Sequence, residues 1–218
     1  MGKLPEIYQR LFHAFGPQHW WPGDSPFEIS VGAILTQNTN WGNVEKAIHN
    51  LKKQDALAVK TIHDMSVQKL AELIKPAGYF NVKAKRLKNF IHFLMNKYHG
   101  SMKRIGDEDM QVIRKNLLDV NGIGPETADS ILLYALGKPV FVIDAYTKRV
   151  LSRHGIMGDE KSYDEFQELF HSALDRDVNL YNQYHALLVK VGKVYCRRQR
   201  PLCDRCPLQA LPGGFDSK

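Results

Sequence analysis

Apolar positions recur three and four residues apart along most of this chain, as in "VEKAIHNLKKQ", "QKLAELIKPAG", "KAKRLKNFIHFLMNKY", "MQVIRKNLLDV" and "TADSILLYALG". That spacing lays one apolar stripe along each segment and predicts a succession of short amphipathic helices. Strand-like alternation is confined to short pieces, of which "PVFVID" (139–144) is the main one. Between Ser25 and Asn43, "SPFEISVGAILTQNTNWGN" offers Ser25 as a helix cap and "VGAIL" as a buried body, followed by an unusual polar run, Thr36 to Asn40, ahead of Trp41. "WPGDSP", "KPAGYFN", "NGIG" and "LGKP" supply the punctuation. The predicted fold class is all-α, with many short helices and no evident repeat.

A length of 218 residues suits one large domain or two interleaved small ones. Lys and Arg number 30 against 23 Asp and Glu, and a pI of about 9.2 favours a polyanionic partner such as nucleic acid over an acidic small molecule. At the amino terminus Leu4, Ile7, Leu11, Phe12 and Phe15 fall at helical spacing, without the continuous apolar core of a secretion signal. No run approaches the roughly 20 apolar residues of a membrane span. The expectation is a soluble intracellular protein of the cytoplasm or nucleoid, with no membrane partner. All three cysteines lie between Cys196 and Cys206, a poor disulfide framework and a better ligand cluster.

"LLDVNGIGPETADSILLYALG" predicts helix, tight hairpin, helix: Gly122 and Gly124 permit dihedrals other residues resist, and Pro125 suits a first helical position. Such a turn exposes backbone N–H groups, here those of Asn121, Gly122, Ile123 and Gly124, for which phosphate is a natural ligand. A plain helix–helix connection would use the same glycines. Glu126, an acid in the first turn of the second helix, suits the helix dipole but not a phosphate.

Together with "ILTQNT", "AGYFNVKAKRL" and "CRRQRPLCDRC", the stretch "VNGIGPETADSILLYALGKPVFVIDAYTKRV" resembles the helix-hairpin-helix DNA glycosylases of the endonuclease III superfamily, over roughly residues 20 to 206. The resemblance implies two helical domains with the active-site cleft between them. One is a six-helix domain over 23–138 carrying the hairpin; the other joins 1–22 to 139–218 and carries a catalytic Asp and the cysteines. Asp144 stands at the family's Asp. Breaking a base–deoxyribose bond builds positive charge on the sugar, which a fixed carboxylate stabilises, or it orients a water. An N-cap for the helix opening at "DAYTKRV" would place the same residue there. Bifunctional members carry a Lys two residues after the second hairpin Gly, whose amine forms a Schiff base with the sugar. Glu126 occupies that position and cannot, so a glycosylase without lyase activity is expected, unless another amine such as Lys148 serves.

Gln37 matches the family residue that fills the gap left by a flipped base. All three Trp flank the first core helix: Trp20 and Trp21 in "QHWWPGD", and Trp41. Indole faces attract cations, so a pocket built from them prefers an alkylated, positively charged purine, which leaves without a general acid; indoles also fill cores routinely. The combination is similar to the 3-methyladenine glycosylases of the superfamily, departing where Trp41 stands in place of Phe. The expected partner is double-stranded DNA containing damaged bases, bound by a monomer. Thymine or uracil removal from mismatches is the runner-up, and a lesion-binding protein without catalysis is the alternative from another class.

Cys196, Cys203 and Cys206 have the C-x6-C-x2-C spacing with which many of these enzymes begin a four-cysteine iron–sulfur site. Pro212 stands where the fourth cysteine is expected, and no Cys or His follows. A [4Fe-4S] cluster with an unusual fourth ligand, a three-iron cluster, a zinc site and a metal-free remnant all stay open. The base-release chemistry itself requires no cofactor. Lys193, Arg197, Arg198 and Arg200 here, and Lys83, Lys85 and Arg86 in "NVKAKR", are candidate phosphate contacts or simply solvated basic faces.

Overall fold

The structure is a computed structural model and describes residues 2–209 and Leu211. Among these, every regular element is helical, and the chain divides into two compact units, Pro22–Lys138 and Met1–Trp21 with Pro139–Lys218. No described helix is long and apolar enough to cross a membrane.

The continuous unit is built around α2 (Pro26–Leu35), whose N-terminus is closed by Ser25 Oγ accepting the Glu28 N–H at 3.2 Å, with Pro26 in the first turn. Phe27, Val31, Ala33, Ile34 and Leu35 are all buried, so α2 has no solvent face and acts as a core helix. Against it pack α3 (Trp41–Lys53), α6 (Phe80–Tyr98) and α9 (Pro125–Ser130), the last running on into a π-helical turn over Ile131–Ala135. The short helices α4 (Val59–Asp64), α5 (Val67–Leu73), α7 (Met102–Gly106) and α8 (Met110–Leu118) complete the unit.

Two lysines of α6 are spent on helix ends. Lys83 is buried, and its Nζ donates to Leu35 O at 2.9 Å and Ala77 O at 2.7 Å, closing α2 and the turn before α6. Burial, and then the charge of Arg86, push its pKa down to about 8. Lys88 likewise donates to Ile62 O and Met65 O, at 3.1 and 2.9 Å, at the C-terminal end of α4. Of the basic run "NVKAKR", Lys83 is therefore unavailable to a phosphate, while Lys85 is exposed.

The second unit joins α1 (Lys3–Phe15) to α10 (Ala145–Arg153), α11 (Tyr163–Ala173) and α12 (Val178–Val194). Phe141, Phe166, Phe170, Tyr181 and Tyr184 fill its core; the Phe141 and Phe170 rings stack at 3.7 Å, and Tyr184 Oη donates to Leu4 O at 2.8 Å. The alternation in "PVFVID" does not produce a strand. Residues 139–143 run irregularly, and side chains of α11 take the place of a neighbouring strand: Gln167 Nε2 donates to Phe141 O at 2.7 Å, His171 Nε2 accepts the Phe141 N–H at 3.0 Å, and Tyr163 Oη accepts the Ile143 N–H at 3.3 Å. Val140, Phe141, Val142 and Ile143 are all buried, so the segment lies inside the unit rather than half in water.

Candidate nucleic-acid interface and active site

The hairpin forms where α8 runs out. Val120 N–H donates to Leu117 O, Ile123 N–H to Val120 O at 3.0 Å, and Ala128 N–H to Gly124 O at 2.9 Å, which starts α9. Val120 and Ile123 bury their side chains and anchor the tip. Gly122 has φ +97°, and a Cβ there would run into the Arg86 side chain, so the position requires glycine twice over. Of the four predicted phosphate donors, Ile123 has committed its N–H to the turn. Among the described residues the amides of Gly122 and Gly124 have no internal acceptor, and Gly124 is exposed.

Side chains hold the turn from beneath. Asn89 Nδ2 donates to Asn121 O at 3.0 Å; Gln37 Nε2 donates to Gly122 O at 3.0 Å and to Thr127 Oγ1 at 2.9 Å; and Arg86 Nη1 donates to Gln37 Oε1. Between the two hairpin helices, Arg114 grips the fully buried Asp129 through Nε to Oδ1 at 2.8 Å and Nη2 to Oδ2 at 3.2 Å. This forked, charge-assisted pair fixes how α8 meets α9. Glu126 lies exposed in the first turn of α9.

Asp144 closes the N-terminus of α10, its Oδ1 accepting the Thr147 N–H at 2.7 Å. Its Oδ2 faces the buried His185, with Nε2 at 3.7 Å, and burial holds that imidazole below its usual pKa against the pull of the Asp144 charge. Capping uses one oxygen and leaves the other to act on a neighbour, so one carboxylate can do both jobs. Lys148, one turn along, places its Nζ on Lys161 O at 2.8 Å and over the Phe166 ring at 4.9 Å.

Trp20 and Trp21 meet edge to face, ring centroids 5.5 Å apart, with Lys193 Nζ 5.9 Å from the Trp20 ring. Trp41 belongs to the other unit; it opens α3 and its indole N–H donates to Glu45 Oε1 at 2.7 Å.

Cys196 is buried, Cys206 half-buried and Cys203 exposed. The Cys206 thiol is pushed up chiefly by burial, against a backbone hydrogen bond from Leu208 that lowers it, with Cys196 and Cys203 adding smaller upward shifts. Their loop is tied to α10 by arginines. Arg149 Nε donates to Cys196 O at 2.7 Å, and Arg153 donates to Arg197 O and Arg198 O at 2.6 and 3.0 Å, with Nη1 3.5 Å from Cys196 Sγ. Among the described residues no group of three or more His, Cys, Asp or Glu is placed to hold a metal ion, and Pro212 lies outside them. As described, the loop does not fit a four-cysteine cluster.

Several contributors carry little sequence signal. His185, Arg86 and Asp129 act over long separations; Tyr163, Gln167 and His171 recur every four residues on α11, a polar stripe on an otherwise amphipathic helix that pattern alone could have exposed.

With this geometry in view, the base excision DNA repair family of the HhH-GPD superfamily matches residues 31–176. A protein of Methanocaldococcus jannaschii, provisionally assigned as a DNA repair glycosylase, is 48% identical over 206 residues, 94% of this chain and 93% of its own. Endonuclease III of Thermotoga maritima is 28% identical over 94% of this chain and 90% of its own. Among solved structures, the 3-methyladenine DNA glycosylase of H. pylori bound to 1,N6-ethenoadenine superposes with a TM-score of 0.73 at 31% identity, covering 87% of this chain and 95% of that one.

Proposed function

The chain belongs to the HhH-GPD superfamily of base excision DNA repair proteins, and from that premise we propose that it is a monofunctional DNA N-glycosylase removing alkylated purines such as 3-methyladenine. The reading rests above all on Glu126: a carboxylate occupies the position of the lyase amine and cannot form a Schiff base. The indole pair Trp20–Trp21 and the similarity to the H. pylori enzyme support the choice of lesion.

In this mechanism the hairpin amides of Gly122 and Gly124 hold backbone phosphate while the damaged nucleotide is turned out of the stack. Indole faces receive the cationic purine. The glycosidic bond breaks with its electron pair moving to the base, which departs neutral, so no protonation is needed. Asp144 stabilises the positive charge left on the sugar through the oxygen not engaged in capping. Water adds to the sugar carbon, its proton passes to solvent by way of the carboxylate, and the products are a free base and an abasic site.

The test is to incubate the protein with methylated duplex DNA and with uracil- and thymine-mismatch duplexes and to identify the released bases. Release of 3-methyladenine without strand cleavage is expected. Release of thymine or uracil instead would make the protein a mismatch thymine/uracil glycosylase. Borohydride trapping on an abasic-site duplex would establish a lyase, with Lys148 the first amine to replace.

A further inference from the structure

The resemblance that identifies the family implies that Gln37 enters the gap left by a flipped base. In the structure, however, both N–H groups of its amide are engaged within the hairpin unit, one on Gly122 O at 3.0 Å and one on Thr127 Oγ1 at 2.9 Å, and its oxygen accepts from Arg86. A primary amide has two donors and no more. Nothing remains with which to donate to an orphaned base unless the hairpin is released.

The contacts are aimed at the peptide planes that matter. Across a trans peptide, the C=O of one residue and the N–H of the next point in opposite directions. Asn89 holds Asn121 O, which turns the Gly122 N–H away from α6. Gln37 holds Gly122 O while the Ile123 N–H closes on Val120 O, so the next plane is pinned at both edges. The Arg86 side chain lies against Gly122 Cα, where a Cβ would not fit, and from there reaches Gln37 Oε1. A residue of the turn after α2 and a residue of α6 thus converge on one glycine.

We infer that Gln37 and Arg86 act as one strut that positions the hairpin for phosphate, so that Gln37 contributes to gripping any duplex, damaged or not. The inference rests on the DNA-binding reading of the hairpin.

The test uses Gln37→Met, Arg86→Met and the double variant, each measured for affinity to an undamaged duplex and to an abasic-site duplex, alongside the amide resonances of Gly122 and Gly124 before DNA is added. Each single variant is expected to weaken undamaged-duplex binding about tenfold, the scale of a lost hydrogen-bonded contact. The double variant should be no weaker than the poorer single one, because both changes remove the same strut. The two glycine amides should shift in the free protein. Gln37→Glu, which keeps the Arg86 contact but loses both donors, should bind as poorly as Gln37→Met, and decides the matter should that variant not fold. The inference is overturned if undamaged-duplex affinity and the glycine resonances stay at wild-type values while the preference for the abasic duplex disappears. If the wild-type protein binds no duplex at all, the functional reading itself fails, and the two failures are distinct.

Discussion

The hairpin unit and the Asp144 unit recruit functional groups in opposite ways. In the proposed mechanism the first offers a ligand the backbone amides of Gly122 and Gly124, and a set of side chains holds the turn that carries them. In the same mechanism the second offers one side chain, Asp144, and side chains of α11 hold the stretch of backbone that leads to it. A backbone site can be damaged only by changing conformation, whereas a side-chain site can be emptied by exchanging one oxygen. Each unit therefore predicts its own kind of loss.

The largest effect belongs to Asp144→Asn, which preserves the cap on Thr147 and removes the charge. Base release should fall roughly a hundredfold to a thousandfold, in the range for losing one electrostatic stabiliser, while duplex affinity stays within a factor of two or so, a band about the size of one weak contact. Single-turnover release and fluorescence anisotropy read the two quantities; parallel loss in both would erase the division between the units.

Gly122→Ala comes next and should do the reverse. It meets the Arg86 side chain and must adopt a positive φ, a strain on the order of 1–3 kcal/mol. Duplex binding should weaken on that scale, with the rate of base release from the saturated complex retained.

Smaller again is Arg153→Ala, which removes the donors to Arg197 O and Arg198 O at the cysteine loop. A cost of about 1–2 kcal/mol should lower the melting temperature by a few degrees without altering affinity for undamaged duplex. Loss of binding would tie this loop to the DNA surface.

The last effect is a pH slope in the hairpin unit. Lys83 has a folded pKa of about 8 against 10.5 for the free side chain. Between those values the unfolded chain holds a proton the folded one lacks, so stability rises with pH; below about 8 both states are charged and the slope vanishes. Tyr98, pushed up to about 12 by burial and its bond to Glu108, opposes this above pH 10. Subtracting the urea midpoints of Lys83→Met from wild type over pH 7 to 10 isolates the Lys83 contribution, which should increase from about pH 8.

The hairpin was legible because its determinants are neighbours: two glycines, a proline and flanking apolar residues decide its course within a few positions. Helix order was legible for the same reason, and so was the cap at Ser25. Residues 139–143 misled because buried extended backbone and a strand share one sequence pattern, and the difference lay 20 to 30 positions away on α11. Lys83 read as a basic surface residue, since nothing local reveals that Leu35 and Ala77 surrender their carbonyls to it. Gln37 read as the residue that fills the gap of a flipped base, and its hold on the hairpin was hidden because these partners are 85 and 90 residues distant. The three Trp read as one set, yet they are divided between the units.

The side chains of α11 also act as a ruler. Four residues of helix rise about 6.0 Å, and two residues of extended chain advance about 6.6 Å, so a polar residue every fourth position keeps step with alternate positions of a neighbouring segment. The step from Tyr163 to Gln167 marks off Ile143 and Phe141 in this way, His171 holds the other edge of Phe141, and Asp144 follows Ile143. The carboxylate's address is thus counted on a helix that carries none of the proposed chemistry. One residue inserted between Tyr163 and His171 would turn a mark away by about 100° and leave the reacting group to find its place unmeasured.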